Sequence, residues 1–204
     1  MKPFFTRSDT VWRRPTGCLH FYAFPSAQAD IRRDFSAMAE ALRPLAQLGE
    51  QPVEYLHMTM QMLDAYEEDL SDELWQRALA DLGRTVATLP AFTVNFAAPS
   101  IEEYAVEAVG QPQAAWSDLV DTLQQVLTRH GLAHTLTAPP YGPHCTVAYC
   151  RSAVDDSEVE RLLRPVATAT SFRVDQVSLV AADQHPDEAT YSFRVLESWP
   201  MSDV

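Results

Sequence analysis

The stretch "VEYLHMTMQML", residues 53–63, has the apolar content of a buried strand but carries His57 and Thr59 in its middle. Side chains of a strand alternate between faces with a period of two. Leu56, Met58, Met60 and Met62 therefore fall on one face, and His57, Thr59 and Gln61 on the other. The apolar row can bury itself against helices, whereas the polar row has to face water or a ligand. The pattern recurs downstream in "YGPHCTVAYC", residues 141–150, which puts His144 and Thr146 on one face and Cys145 and Val147 on the other.

The segments around these strands repeat an order. "CLHFYAF" reads as a first strand, and Ile31, Phe35, Met38, Leu42 and Leu45 recur at the spacing of an amphipathic helix. After the His57 strand, Ser71 is read as the cap of a second helix carrying Leu74, Ala78, Leu82 and Val86, and "AFTVNFA" follows as a strand. The second half runs likewise. "IEEYAVEAV" is a strand, Pro112 opens a helix that Gly131 stops, and the His144 strand follows. A short helix from about Asp156 precedes the strands "SFRVDQVSLVA" and "TYSFRVLES". The expected fold is α+β: two pseudo-symmetric lobes, each an antiparallel sheet with helices outside, facing across a cleft. The 204 residues form one domain in this reading, with lobe one over about 15–98, lobe two over about 99–204, and strand exchange between them allowed.

Composition narrows the function. A formal charge of −13 opposes broad attraction to nucleic acid or anionic membranes, so a phosphate ligand has to be held locally. No run approaches a membrane span, and no membrane association is expected. The odd count of three cysteines, Cys18, Cys145 and Cys150, without C-x-x-C spacing, reads as reduced thiols of a cytoplasmic protein. A zinc site built from His57, His144 and a cysteine is disfavoured, because Cys145 points away from His144 on the same strand.

Two imidazoles on opposing walls suit acid–base work, one neutral and one protonated near neutral pH. Neighbouring threonine hydroxyls can donate to phosphate oxygens as charge builds there. In "LHMTMQML", "PHCTVAY" and the duplicated order of elements, the chain resembles the two-histidine (2H) phosphoesterase superfamily, which includes the bacterial 2'-5' RNA ligase family and the cyclic phosphodiesterases. The resemblance implies a single active site without metal or other cofactor, opening 2',3'-cyclic phosphates or acting on 2'-5' linked nucleotides. It makes His57 and His144 the acid–base pair and Thr59 and Thr146 the phosphate donors. Ligation at the same site and a non-catalytic nucleotide or RNA-end binding module are the alternatives. Many relatives place an arginine where this chain has Tyr149, with Arg151 two residues on, and both are candidate substrate contacts. His20 and Tyr22, in a row with Phe24, and Tyr191 on the last strand are candidate walls for stacking a base. The expected partner is a small cyclic nucleotide or short RNA end, and the expected state is a monomer.

Overall fold

The computed structural model describes residues 1–203, apart from the side chain of Ser26. Its elements run β1 (Cys18–Ala23), α1 (Ala29–Leu42), β2 (Leu48–Glu50), β3 (Met58–Tyr66), α2 (Glu73–Val86), β4 (Phe92–Phe96), β5 (Ser100–Ile101), β6 (Ala105–Gln111) and α3 (Gln113–Arg129). They continue with β7 (His144–Cys150), α4 (Asp156–Leu163), β8 (Thr170–Val174), β9 (Gln176–His185) and β10 (Thr190–Pro200). One antiparallel sheet has the order β10-β9-β1-β3, the other β2-β7-β6-β4-β8, with β5 paired to β6.

Each sheet draws strands from both halves of the chain. The three-residue strand β2, which no periodicity announces, crosses to pair with β7. The run "SFRVDQVSLVA" breaks at Asp175 into β8 in one sheet and β9 in the other. "IEEYAVEAV" likewise breaks into β5 and β6. Helices are interlaced as well: α1, which follows β1, rests on β2, β7 and β8, while α3, which follows β6, rests on β3.

The helices form where their apolar stripes predict. Ile31, Phe35, Met38 and Leu42 are the buried positions of α1, and Trp75, Ala78, Leu79, Leu82 and Val86 those of α2. The cap of α2 is Asp72, one residue beyond Ser71, its carboxylate accepting from the amide of Leu74. All four helices pack against the outer sheet faces, so the faces that remain, carrying His20, Tyr22 and Thr59 on one side and Glu107, Thr146 and Tyr149 on the other, confront each other.

Both motif strands contain a β-bulge one residue after the motif threonine. Tyr22 pairs with Thr59 but Phe21 with Gln61, which leaves Met60 unmatched. Glu107 pairs with Thr146 but Val106 with Ala148, which leaves Val147 unmatched. The extra residue inverts the alternation beyond it. Val147 and Ala148 thus both join the helix-side core, and so does Leu63 on β3. Gln61 is correspondingly fully buried and bonded to Gln124 of α3, while Met62 turns to the cleft; the simple alternation drawn from the sequence is corrected at these two positions.

Candidate active site

A cleft of ≈ 640 Å³ lies between the sheets, lined by His57, Thr59, His144 and Thr146 among others. The two histidines are held alike. His57 Nδ1 lies 2.7 Å from the carbonyl of Tyr55, and His144 Nδ1 lies 3.0 Å from that of Gly142, in each case two residues back. A carbonyl only accepts, so the proton sits on Nδ1 and Nε2 is the nitrogen left for a ligand. Each ring is also covered by a tyrosine: Tyr22 stacks on His57 at 4.2 Å between centroids, and Tyr141 on His144 at 4.7 Å.

The carbonyls are themselves positioned. Gln51, fully enclosed, donates through Nε2 to Tyr55 O at 2.9 Å and to Tyr191 O at 2.8 Å, and its Oε1 accepts from the Tyr191 amide. Gly142 has φ +152°, a backbone conformation that residues with a Cβ rarely adopt, so the turn behind the His144 hydrogen bond favours glycine.

Environment separates the imidazoles. Burial, reinforced by the neighbouring His144, outweighs the Tyr55 carbonyl and lowers His57 from 6.5 to about 4. His20, buried beside it with Nδ1 2.6 Å from the Tyr22 hydroxyl and, among the described residues, no partner for Nε2, is lowered to about 3, by burial first and then by His57. Both are neutral near pH 7. His144 stands at the half-exposed mouth of the cleft. Thr59 lies beside the Tyr22 phenol and Thr146 beside that of Tyr149; each hydroxyl partly offsets the upward push of burial on its tyrosine.

Tyr149 reaches the cleft because of the β7 bulge, occupying on β7 the place that Met62 occupies on β3. Tyr191 also lines it, with Phe5, Trp12 and Tyr149 against its ring. His20 and Tyr22 line the wall but expose only 2% and 1% of their surfaces, and Tyr22's face is taken by His57. They support the histidine and offer no stacking surface, which corrects the base-wall expectation; Phe24 stacks on Phe193 instead. Arg151 is not brought to the cleft. It follows the last residue of β7, is exposed, and donates to the carbonyl of Glu188 at 2.9 Å.

Sequence reasoning passed over Glu107, Tyr141 and Trp12. Glu107 is the cross-strand partner of Thr146 and only 8% exposed. Its Oε2 accepts from the Tyr141 hydroxyl, while Tyr141 itself is 63% exposed at the rim. The arginines of the lining, Arg7 and Arg13, are already paired, with Asp9 and Asp64. Among the described residues no three His, Cys, Asp or Glu side chains converge as a metal site would require. No helix among them is long and apolar enough to cross a membrane.

Residues 29–186 match the family model of the 2'-5' RNA ligase superfamily, and the chain belongs to that superfamily. Among solved structures, TT0787 of Thermus thermophilus superposes with a TM-score of 0.67 at 16% identity, covering 90% of this chain and 97% of its own. LigT of E. coli in its apo form gives 0.65 at 18% identity, covering 92% and 99%. LigT has also been crystallised with 3'-AMP, NADP+ and ATP. The MHV ns2 PDE domain gives 0.50 at 15% identity, covering 81% and 98%. At these identities the likeness is one of fold. Among curated protein sequences none matches this chain.

Proposed function

We propose that this protein is a metal-independent phosphodiesterase that opens 2',3'-cyclic phosphates of nucleotides or short RNA ends by two-histidine acid–base catalysis. The observation that carries the reading is the matched fixing of His57 and His144, each with Nδ1–H bound to a carbonyl two residues back and Nε2 left for the cleft. Family membership and nucleotide complexes of LigT support the substrate class.

His57, enclosed and held neutral, is the base, and His144 at the mouth is the acid. Water attacks phosphorus as its proton passes to His57 Nε2. The P–O3' bond breaks while His144 Nε2 gives its proton to the leaving 3' oxygen, so the product is a 2'-phosphate. Thr59 and Thr146 turn their hydroxyls from the adjacent phenols to the non-bridging oxygens, where negative charge concentrates. The histidines return to their starting states by exchanging one proton with solvent.

The test is a panel of nucleoside 2',3'-cyclic phosphates, ADP-ribose cyclic phosphate and 2'-5' dinucleotides, with products read by phosphorus NMR in the presence of EDTA. Turnover to 2'-phosphates that survives the chelator supports the reading. Absence of turnover across the panel overturns it, and activity abolished by EDTA and restored by zinc replaces it with a metal mechanism.

A further inference from the structure

A buried carboxylate is an unexpected neighbour for a phosphate site. Glu107 lies directly across from Thr146, so the two side chains share a face at about 5 Å between Cβ atoms. Among the described residues no cation pairs with it, and its one hydrogen-bond donor there is Tyr141. The nearby histidine His57 is neutral, and the lining arginines are held by Asp9 and Asp64. The one cation of the proposed reaction that faces it, His144 on the same strand as Thr146, gives up its proton to the leaving oxygen, so among the described residues no positive side chain is left to offset the charge that Glu107 presents to the product.

We propose that Glu107 is a specificity-determining charge filter, admitting a singly charged phosphodiester and repelling the doubly charged phosphomonoester. The inference rests on the proposed reaction and deepens it. A cyclic phosphate carries one negative charge, whereas ring opening makes a monoester whose second ionisation, near pH 6, adds another. Added charge some 6–8 Å from a carboxylate in a partly desolvated cleft weakens binding roughly three- to fiftyfold. Glu107 thus turns the chemical step into an expulsion of product. Thr146 and Glu107 act as a pair, the hydroxyl receiving the phosphate and the carboxylate limiting its charge.

The test compares a nucleoside 2'-phosphate and its methyl ester as competitive inhibitors of cyclic phosphate turnover at pH 8. The wild-type protein should favour the methyl ester by threefold or more. In Glu107→Gln, of nearly the same shape, inhibition by both anions should tighten, the doubly charged monoester more, so that the preference for the methyl ester shrinks roughly three- to fiftyfold. Glu107→Asp and Tyr141→Phe, which keep the charge, should keep the preference. An unchanged ratio in Glu107→Gln overturns the proposal, as does a shift of the same size in Tyr141→Phe, which would make Glu107 a tether for Tyr141. Should Glu107→Gln not fold, equal or better inhibition of the wild type by the monoester is sufficient to overturn it. If no cyclic phosphate is turned over, calorimetric titration of the two probes separates the claims: preference for the diester keeps the filter and removes only the catalytic reading, and its absence removes both.

Discussion

The ring of Tyr22 lies 16° from parallel to that of His57 with centroids 4.2 Å apart, so one face of the imidazole never meets water. Burial, to which that contact contributes, together with the neighbouring His144 keeps His57 neutral down to about pH 4. A base has to be deprotonated, so in the proposed reaction the acid-side limb of kcat/KM lies well below the ordinary histidine range. In Tyr22→Leu, water reaches the ring and the limb should move up towards 6.5. A pH profile for both proteins checks this, and identical limbs would separate the stacking from the titration.

Removing either histidine of the proposed pair should cost far more than removing either threonine. His57→Ala and His144→Ala are each expected to lower kcat by about two to four orders of magnitude, and the double variant by much less than the product of the two. Thr59→Ala and Thr146→Ala should lose less. A wild-type rate in either histidine variant would remove that residue from the mechanism.

Gln51 holds the carbonyl that holds His57. Gln51→Leu leaves the Tyr191 amide and carbonyl without their partners, at a cost of about 1–3 kcal/mol per buried group. Chemical denaturation should show that loss. Turnover should fall as well, because the imidazole is no longer aimed. Gly142→Ala should impair turnover through His144 in the same way, because alanine strains the backbone at φ +152° that carries the accepting carbonyl.

Acid should destabilise the fold early. His57 and His20 are lowered from 6.5 to about 4 and about 3, so between those limits the unfolded chain binds more protons than the folded one. Stability is therefore complete above about pH 6.5 and is lost progressively as pH falls. At roughly 1.4 kcal/mol for each tenfold loss of proton affinity on folding, the two histidines together account for on the order of 8 kcal/mol once both are protonated. His20→Leu should flatten the melting-temperature profile over that range relative to wild type.

The motif pairs were legible because alternation is local: His57 with Thr59 and His144 with Thr146 share faces by backbone geometry alone. Met62 and Tyr149 could not be placed that way, since the bulges at Met60 and Val147 arise from pairing with β1 and β6, which no short window contains. Glu107 is one acid among several in "IEEYAVEAV", and its role follows only from standing opposite Thr146. Trp12 belongs to an N-terminal arm without regular period, yet it packs on His20 and Tyr191. Arg151 shows the converse error: a residue close in sequence to the motif, but past the end of its strand. Helices were read well because their stripes are long, whereas β2, with three residues, offers no period to count.

Strand by strand, the chain passes between the two sheets four times, between β1 and β2, β2 and β3, β3 and β4, and β8 and β9. The last passage is a single residue, Asp175. Swinging the sheets apart like the halves of a clam would strain the one-residue passage at Asp175 and pull α1 and α3 from the strands they cover. The gap between the motif strands is therefore a fixed gauge, set when the chain folds, and a ligand is measured against it without the walls giving way.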